Sequence, residues 1–192
     1  VSRSAAQRLT FAPVRNAGRT TNLTTAQTRQ PQQPTDLEIT LTPAEQAVAK
    51  SLAVMRQQIA RAIGRVDQQI GQQAGWETDE QGIGGEFAAA RAYNVFPCLE
   101  LKPDNGFDLI VRGKKIDVKT TKYKSGRLLA KRTQRDDEVD IFLLVTGQFP
   151  SFKIVGYATA AQLLKKENLI DLGHGEGFGL TQEKLNPPFS CA

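Results

Sequence analysis

The sequence predicts an α/β domain with a mixed central sheet flanked by helices, preceded by a long N-terminal helix and a flexible basic arm. Three observations carry this expectation. Residues 107–121, FDLIVRGKKIDVKTT, alternate apolar and polar about a glycine, the pattern of two strands folded on a turn. Val139 to Val145, VDIFLLV, is a mostly apolar run suited to a buried strand. Thr42-Pro43-Ala44-Glu45 combines a capping hydroxyl, a proline at the first helical position and a glutamate three residues on, and an apolar periodicity follows it.

The chain has 192 residues, enough for one domain with a real core and a substantial appendage. No apolar run approaches the roughly 20 residues of a membrane span, so no membrane partner is expected. Cys98 and Cys191 lack metal-site spacing, which points to a reducing interior. The net charge is +5, and its placement matters more than its size. Up to Thr35 the chain carries Arg3, Arg8, Arg15, Arg19 and Arg29 with no acid, and from Lys114 to Arg135 Asp117 is the only acid among many lysines and arginines. Clustered positive charge attracts polyanions, of which phosphate backbones are the commonest.

In chain order, residues 1–40 are rich in Thr, Gln, Arg, Ala and Pro without apolar periodicity and read as a basic arm. The same composition superficially suits an organelle transit peptide. Residues 41–72 form the long amphipathic helix, with Val48, Leu52, Met55, Ile59, Ala62, Val66 and Gln69 near a heptad seam. This 43–70 helix packs either on the domain or on a second copy, giving a homo-oligomer. Residues 76–192 form the main domain, with Trp76 as a packing anchor. Gln81-Gly82-Ile83-Gly84-Gly85-Glu86 enters a second helix with Glu86 in its first turn, and the glycines suggest a close backbone approach. Val95 to Leu101 is a strand candidate, followed by a turn over Lys102 to Gly106 and then the hairpin. Phe152 to Tyr157 is a further strand and Thr159 to Lys166 a short helix. The Gly-rich GHGEGFG stretch reads as a loop or flap, and His174 within it as a loop residue.

The hairpin carries the chemistry. A turn at Gly113-Lys114 sets Asp108 diagonal to Asp117, whereas a turn at Arg112-Gly113 puts them directly opposite. Either register keeps both aspartates, with Lys119, on the outer face. Facing carboxylates repel, and a divalent cation between them relieves the repulsion. Ordinary solvated charges on a hairpin are the competing reading.

The order of elements is a helix with Glu86, a strand with Asp108, a strand with Ile116-Asp117-Val118-Lys119, a basic connection, and the later VDIFLLV and IVGYAT runs. Over about residues 80–166 it resembles the PD-(D/E)XK nuclease superfamily, in particular its small phage and bacterial members. Phe107 stands where the motif's name has proline, which is common in the superfamily and leaves the carboxylate intact.

The resemblance implies a restriction-endonuclease-like core and a magnesium-dependent DNA endonuclease, with a junction resolvase as one subtype and manganese as a substitute. Glu86, Asp108, Asp117 and Lys119 would be catalytic. Asp108 and Asp117, with Glu86 and the Val118 carbonyl, would hold Mg²⁺, which polarises the phosphate and acidifies water. Lys119 would orient the attacking water. Thr120, Thr121, Lys122, Lys124, Arg127, Lys131, Arg132 and Arg135 would contact DNA. The expected compartment is the cytoplasm of a bacterial or phage-infected cell, with virion association as a variant. The rival is a non-catalytic nucleic-acid-binding or structural protein that keeps the fold.

Overall fold

The computed structural model describes residues 37–63, 75–101, 106–173 and 175–189. The basic arm up to residue 36, Val66 and Gln69 of the proposed seam, most of the turn after Leu101, and His174 lie outside the described residues, as does the Trp76 side chain. Among the described residues no helix is long and apolar enough to cross a membrane.

In chain order the elements are β1 (Leu37–Thr40), α1 (Pro43–Ala62), α2 (Gly75–Ala92), β2 (Leu109–Val111), β3 (Lys114–Thr121), β4 (Leu128–Lys131), β5 (Ile141–Gln148), β6 (Ser151–Thr159), α3 (Ala160–Leu163), β7 (Leu169–Asp171) and β8 (Glu176–Leu180). A five-stranded sheet has the order β1-β6-β5-β3-β2, and a three-stranded sheet the order β4-β8-β7. Among the described residues only β3 and β5 run parallel, and every other pairing is antiparallel. The central sheet is therefore mixed, as expected.

Its two faces are covered differently. One buries Ile116, Val118, Leu143, Val145 and Ile154 against Ile83, Phe87 and Ala88–Ala90 of α2 and Ala49, Leu52 and Ala53 of α1. The other buries Phe142, Leu144 and Ala158 against Leu128 and Ala130 of β4, Leu180 of β8, and Ala160 and Leu163 of α3. On the outer face of the hairpin Ile110 and Lys115 are exposed while Asp117 is buried, and the three-stranded sheet packs beside it over Phe142 and Leu144 of β5.

Thr42 and Glu45 form the anticipated capping box, with Thr42 N–H donating to Glu45 Oε2 at 2.6 Å. The helix face turned to the domain keeps Leu52 of the seam but is otherwise rotated one residue on, through Ala49, Ala53 and Arg56, because alanines let α1 lie close to α2. Val48 and Met55 face outward, at 45% and 41% exposure.

Four other expectations need correction. Residues 37–40, expected within the arm, form β1 on the edge of β6, with Leu37 and Ile39 packed on the core. Val95 to Leu101 is irregular, because the carbonyls of Cys98 and Glu100 bond to the Arg56 guanidinium instead of a ladder. The glycine-rich tail is not a flap: Gly177 and Gly179 lie within β8 against β4. Finally, α2 begins at Gly75, so Glu86 lies beyond its midpoint.

The glycines of α2 sit there for contact. A Cβ on Gly84 would come within 2.6 Å of the Phe152 ring and 2.8 Å of Phe149, and one on Gly85 within 2.9 Å of Thr120 Cβ. Gln81 stitches the same helix to the β5–β6 turn, donating to Gly147 O at 2.6 Å and accepting from Phe149 N–H at 3.1 Å.

The β2–β3 turn is centred on Arg112-Gly113, the second of the two registers considered, with Leu109 opposite Ile116 and Val111 opposite Lys114. Both central residues have positive φ, 51° for Arg112 and 75° for Gly113, as a type I′ turn demands. Asparagine tolerates that region better than arginine. Arg112→Asn should therefore stabilise the protein by about 0.5–1 kcal/mol, read as a higher urea midpoint with an unchanged m-value.

Candidate active site

The hairpin is interrupted where it reaches Asp108. Ile116 pairs with Leu109, yet the Asp108 amide also donates to the Ile116 carbonyl, at 2.8 Å. Two residues of the incoming strand thus face one of β3, as in a β-bulge. Asp108 Oδ2 then accepts the Val118 amide at 2.7 Å, taking the place of a ladder partner. By strand alternation the Val118 carbonyl points to this same side. The Asp108 carboxylate therefore closes the end of the ladder against β3.

Asp117 is 6% exposed and Lys119 about a third exposed, on the face shared with Phe142 and Leu144. Lys119 Nζ meets Asp117 Oδ1 at 2.7 Å. Glu86 comes from α2, and its carboxylate is held by Arg56 of α1 at 3.1 Å, both side chains being largely covered. Arg56 is fixed in turn by the Glu100 and Cys98 carbonyls, at 3.0 and 3.3 Å.

These groups share one electrostatic environment. Burial pushes the Asp108 carboxyl up to about 8, reinforced by the charges of Glu86 and Asp117 and opposed by the Val118 amide and Lys119. Burial also raises Glu86; Arg56 pulls it down, Asp117 pushes it up and Lys119 pulls it down. Asp117 is raised by burial as well, against the pull of Lys119 and of Lys131 on β4. Glu86 on α2, Asp108 just ahead of β2, and Asp117 and Lys119 on β3 thus act on one another's charge.

Among the described residues no three carboxylate, histidine or cysteine side chains stand close enough to form a ready cation cage. Each acid is held by a group of the chain itself: Glu86 by Arg56, Asp108 by Val118 N–H and Asp117 by Lys119. The donor set nevertheless fits a hard divalent ion, being all oxygen, desolvated and mutually repelling.

Arg56 is the residue that sequence reasoning missed. Its signal was its place on the Ala49-Leu52-Ala53 stripe, where an arginine on a buried face calls for an acidic partner.

The residues expected to touch DNA divide into groups. Thr120 faces α2, with its hydroxyl buried beside Gly85 and without a hydrogen-bond partner among the described residues, so it does not line an outer surface. Thr121 accepts the Tyr123 amide at 3.3 Å. Arg132 pairs with Glu176, and Arg135 with Asp137 at 2.7 Å; these exposed pairs hold little energy and exchange readily. Lys124, Arg127 and Lys131 are exposed, and Lys122 lies over the Tyr123 ring. Comparison with protein-family models, with curated proteins and with solved structures gave no match to this chain.

Proposed function

We propose that this protein is a divalent-metal-dependent nuclease that hydrolyses DNA phosphodiester bonds within the strand, as the PD-(D/E)XK resemblance implies. The observation that carries the reading is the burial of three carboxylates, Glu86, Asp108 and Asp117, about β3, with the Lys119 ammonium 2.7 Å from Asp117. Such a cluster costs stability unless a cation or protons neutralise it, and perturbed titration in one cluster is a mark of functional sites.

Asp108, Asp117 and Glu86, with the Val118 carbonyl, would hold the ion. A bound Mg²⁺ or Mn²⁺ would polarise the phosphate and lower the pKa of the attacking water. The remaining work belongs to the chain. Lys119 orients the water from beside Asp117 and offsets charge gathering on the phosphate oxygens. A lysine suits this role because its charge is compact and its stem flexible. Arg56 positions the Glu86 carboxylate at 3.1 Å and opposes the upward push of burial on its titration. Lys131, with exposed Lys124 and Arg127 after β3, draws the nucleic-acid backbone towards the strand.

The test is incubation of the full chain with plasmid, branched and single-stranded DNA, with and without magnesium. Cleavage should require the metal, and Lys119→Ala should slow it by about 100-fold while leaving the gel shift intact. The plasmid separates internal cutting from attack at ends. A second reading draws on the Arg56–Glu86 pair, which neutralises one carboxylate without any ion: a protein that keeps the fold and only binds nucleic acid. DNA shifted but never cut, by wild type and variant alike, would establish that reading instead.

A further inference from the structure

Beyond β3 the chain turns through residues 122–127 before entering β4, and this loop is braced from both sides. Gln182 donates its side-chain amide to the Lys124 and Gly126 carbonyls, at 2.8 and 2.9 Å. The Gly126 amide closes the turn on Tyr123 O at 2.9 Å, and a Cβ on Gly126 would collide with Thr121 and come within 3.0 Å of the same carbonyl. What this rigid loop presents is an aromatic ring: Tyr123 is 64% exposed. The Lys122 ammonium lies 5.5 Å from the ring centroid, exposed Lys124 and Arg127 follow, and the sequence has no acid between Val118 and Arg135, the nearby Glu183 acting on Arg127 rather than on the lysines.

A tyrosine held outward in a cationic surround, four residues after Lys119, is poorly explained by folding, since it buries little there. It matches what unpaired nucleobases need: a flat π-face for stacking and positive charge for the flanking phosphates. Base pairs in a duplex keep their faces stacked on one another and offer only edges, so duplex DNA cannot use the ring in this way. The four residues from Lys119 reach at most about 14 Å, a span of a few nucleotides.

We propose that Tyr123 is a stacking platform for an unpaired base, and that the substrate of the site is therefore single-stranded or locally unpaired DNA. The identification of substrate rests on the nuclease reading above, whereas the binding role of the loop can be measured without it.

The experiment is fluorescence anisotropy with the full chain in EDTA, which prevents cleavage, using one labelled mixed-sequence oligonucleotide as a single strand and as a duplex. Tyr123→Ala should weaken single-strand binding by about tenfold or more and change duplex binding by less than about twofold, while Tyr123→Phe keeps wild-type affinity. A 2-aminopurine in the strand should be quenched by wild type and by Tyr123→Phe but not by Tyr123→Ala. Equal single-strand affinity in wild type and Tyr123→Ala would overturn the proposal, as would a Tyr123→Phe loss as large as that of alanine. Because no metal is present, failure to find cleavage elsewhere would count against the nuclease reading and leave this result standing.

Discussion

Asp108→Asn should reduce magnesium-dependent cleavage by at least about a thousandfold and, in the same protein without metal, raise the melting temperature at about pH 8 by several degrees. The two effects share one cause. Asp108 is buried against Glu86 and Asp117, and its carboxyl titrates at about 8, far above the value near 4 of an unfolded aspartate. The folded state therefore holds the proton more tightly than the unfolded one. Its stabilising contribution is complete below about pH 4 and is lost as pH rises through about 8.

Asparagine keeps an oxygen to accept the Val118 amide and removes the charge, so it escapes that loss. For a domain of this size each 1 kcal/mol moves the melting temperature by roughly 2–4 °C. Thermal melts in EDTA from about pH 5 to 9 should show the wild type losing stability faster with pH than the variant. Adding manganese should stabilise wild type more than Asp108→Asn, by an amount that grows with pH as binding releases protons. A variant melting below wild type at every pH would refute the assigned burial of charge.

Gly85→Val should destabilise the fold by about 3 kcal/mol, the largest stability loss expected of a single added side chain in α2. A Cβ at this position meets the Thr120 hydroxyl and comes within 2.8 Å of its methyl group and 2.9 Å of its Cβ. Neither partner can retreat easily, because Thr120 is fixed in β3 beside β5 and α2 is tied down by Gln81 and by Arg56 acting on Glu86. Gly85→Ala should cost less, since alanine recovers about 1 kcal/mol of helix propensity, and Thr120→Ala in the same chain should relieve part of its clash. Gly82→Ala is the control: nothing lies within 4 Å of its Cβ, so only the propensity gain remains. Urea unfolding of this set separates close packing from helix propensity, and a Gly85→Val midpoint equal to wild type would disprove the contact.

Local signals were well read. The capping box at Thr42, the buried run that became β5, and the alternation about Gly113 each depend on neighbouring residues, and each element formed nearly where the pattern placed it. What failed was non-local. The hairpin pattern could say that Asp108 and Asp117 share a side, but not that Asp117 would be buried there with Lys131 of β4 acting on it. Nor could it show the extra residue at Asp108 that turns the carboxylate along the sheet edge. Glu86 was tied to the site from its residue type and order, yet its helix was begun too late, because glycines that admit the sheet read locally as a helix entry. Arg56 was overlooked because a heptad reading of α1 weighs apolar positions and passes over a buried cation. Leu37–Thr40 was absorbed into the arm because its neighbours, and not its own alternation, set the composition.

The strand order also fixes how the molecule can be handled. Leu37 enters on β1, at the margin of the sheet, while Asp117 and Lys119 lie on β3, separated from it by β6 and β5. At about 4.8 Å per strand, those three steps set an affinity tag or surface anchor joined just ahead of Leu37 some 14 Å from the strand that bears the ammonium group. Immobilisation through that margin leaves the opposite, β2 edge of the sheet uncovered.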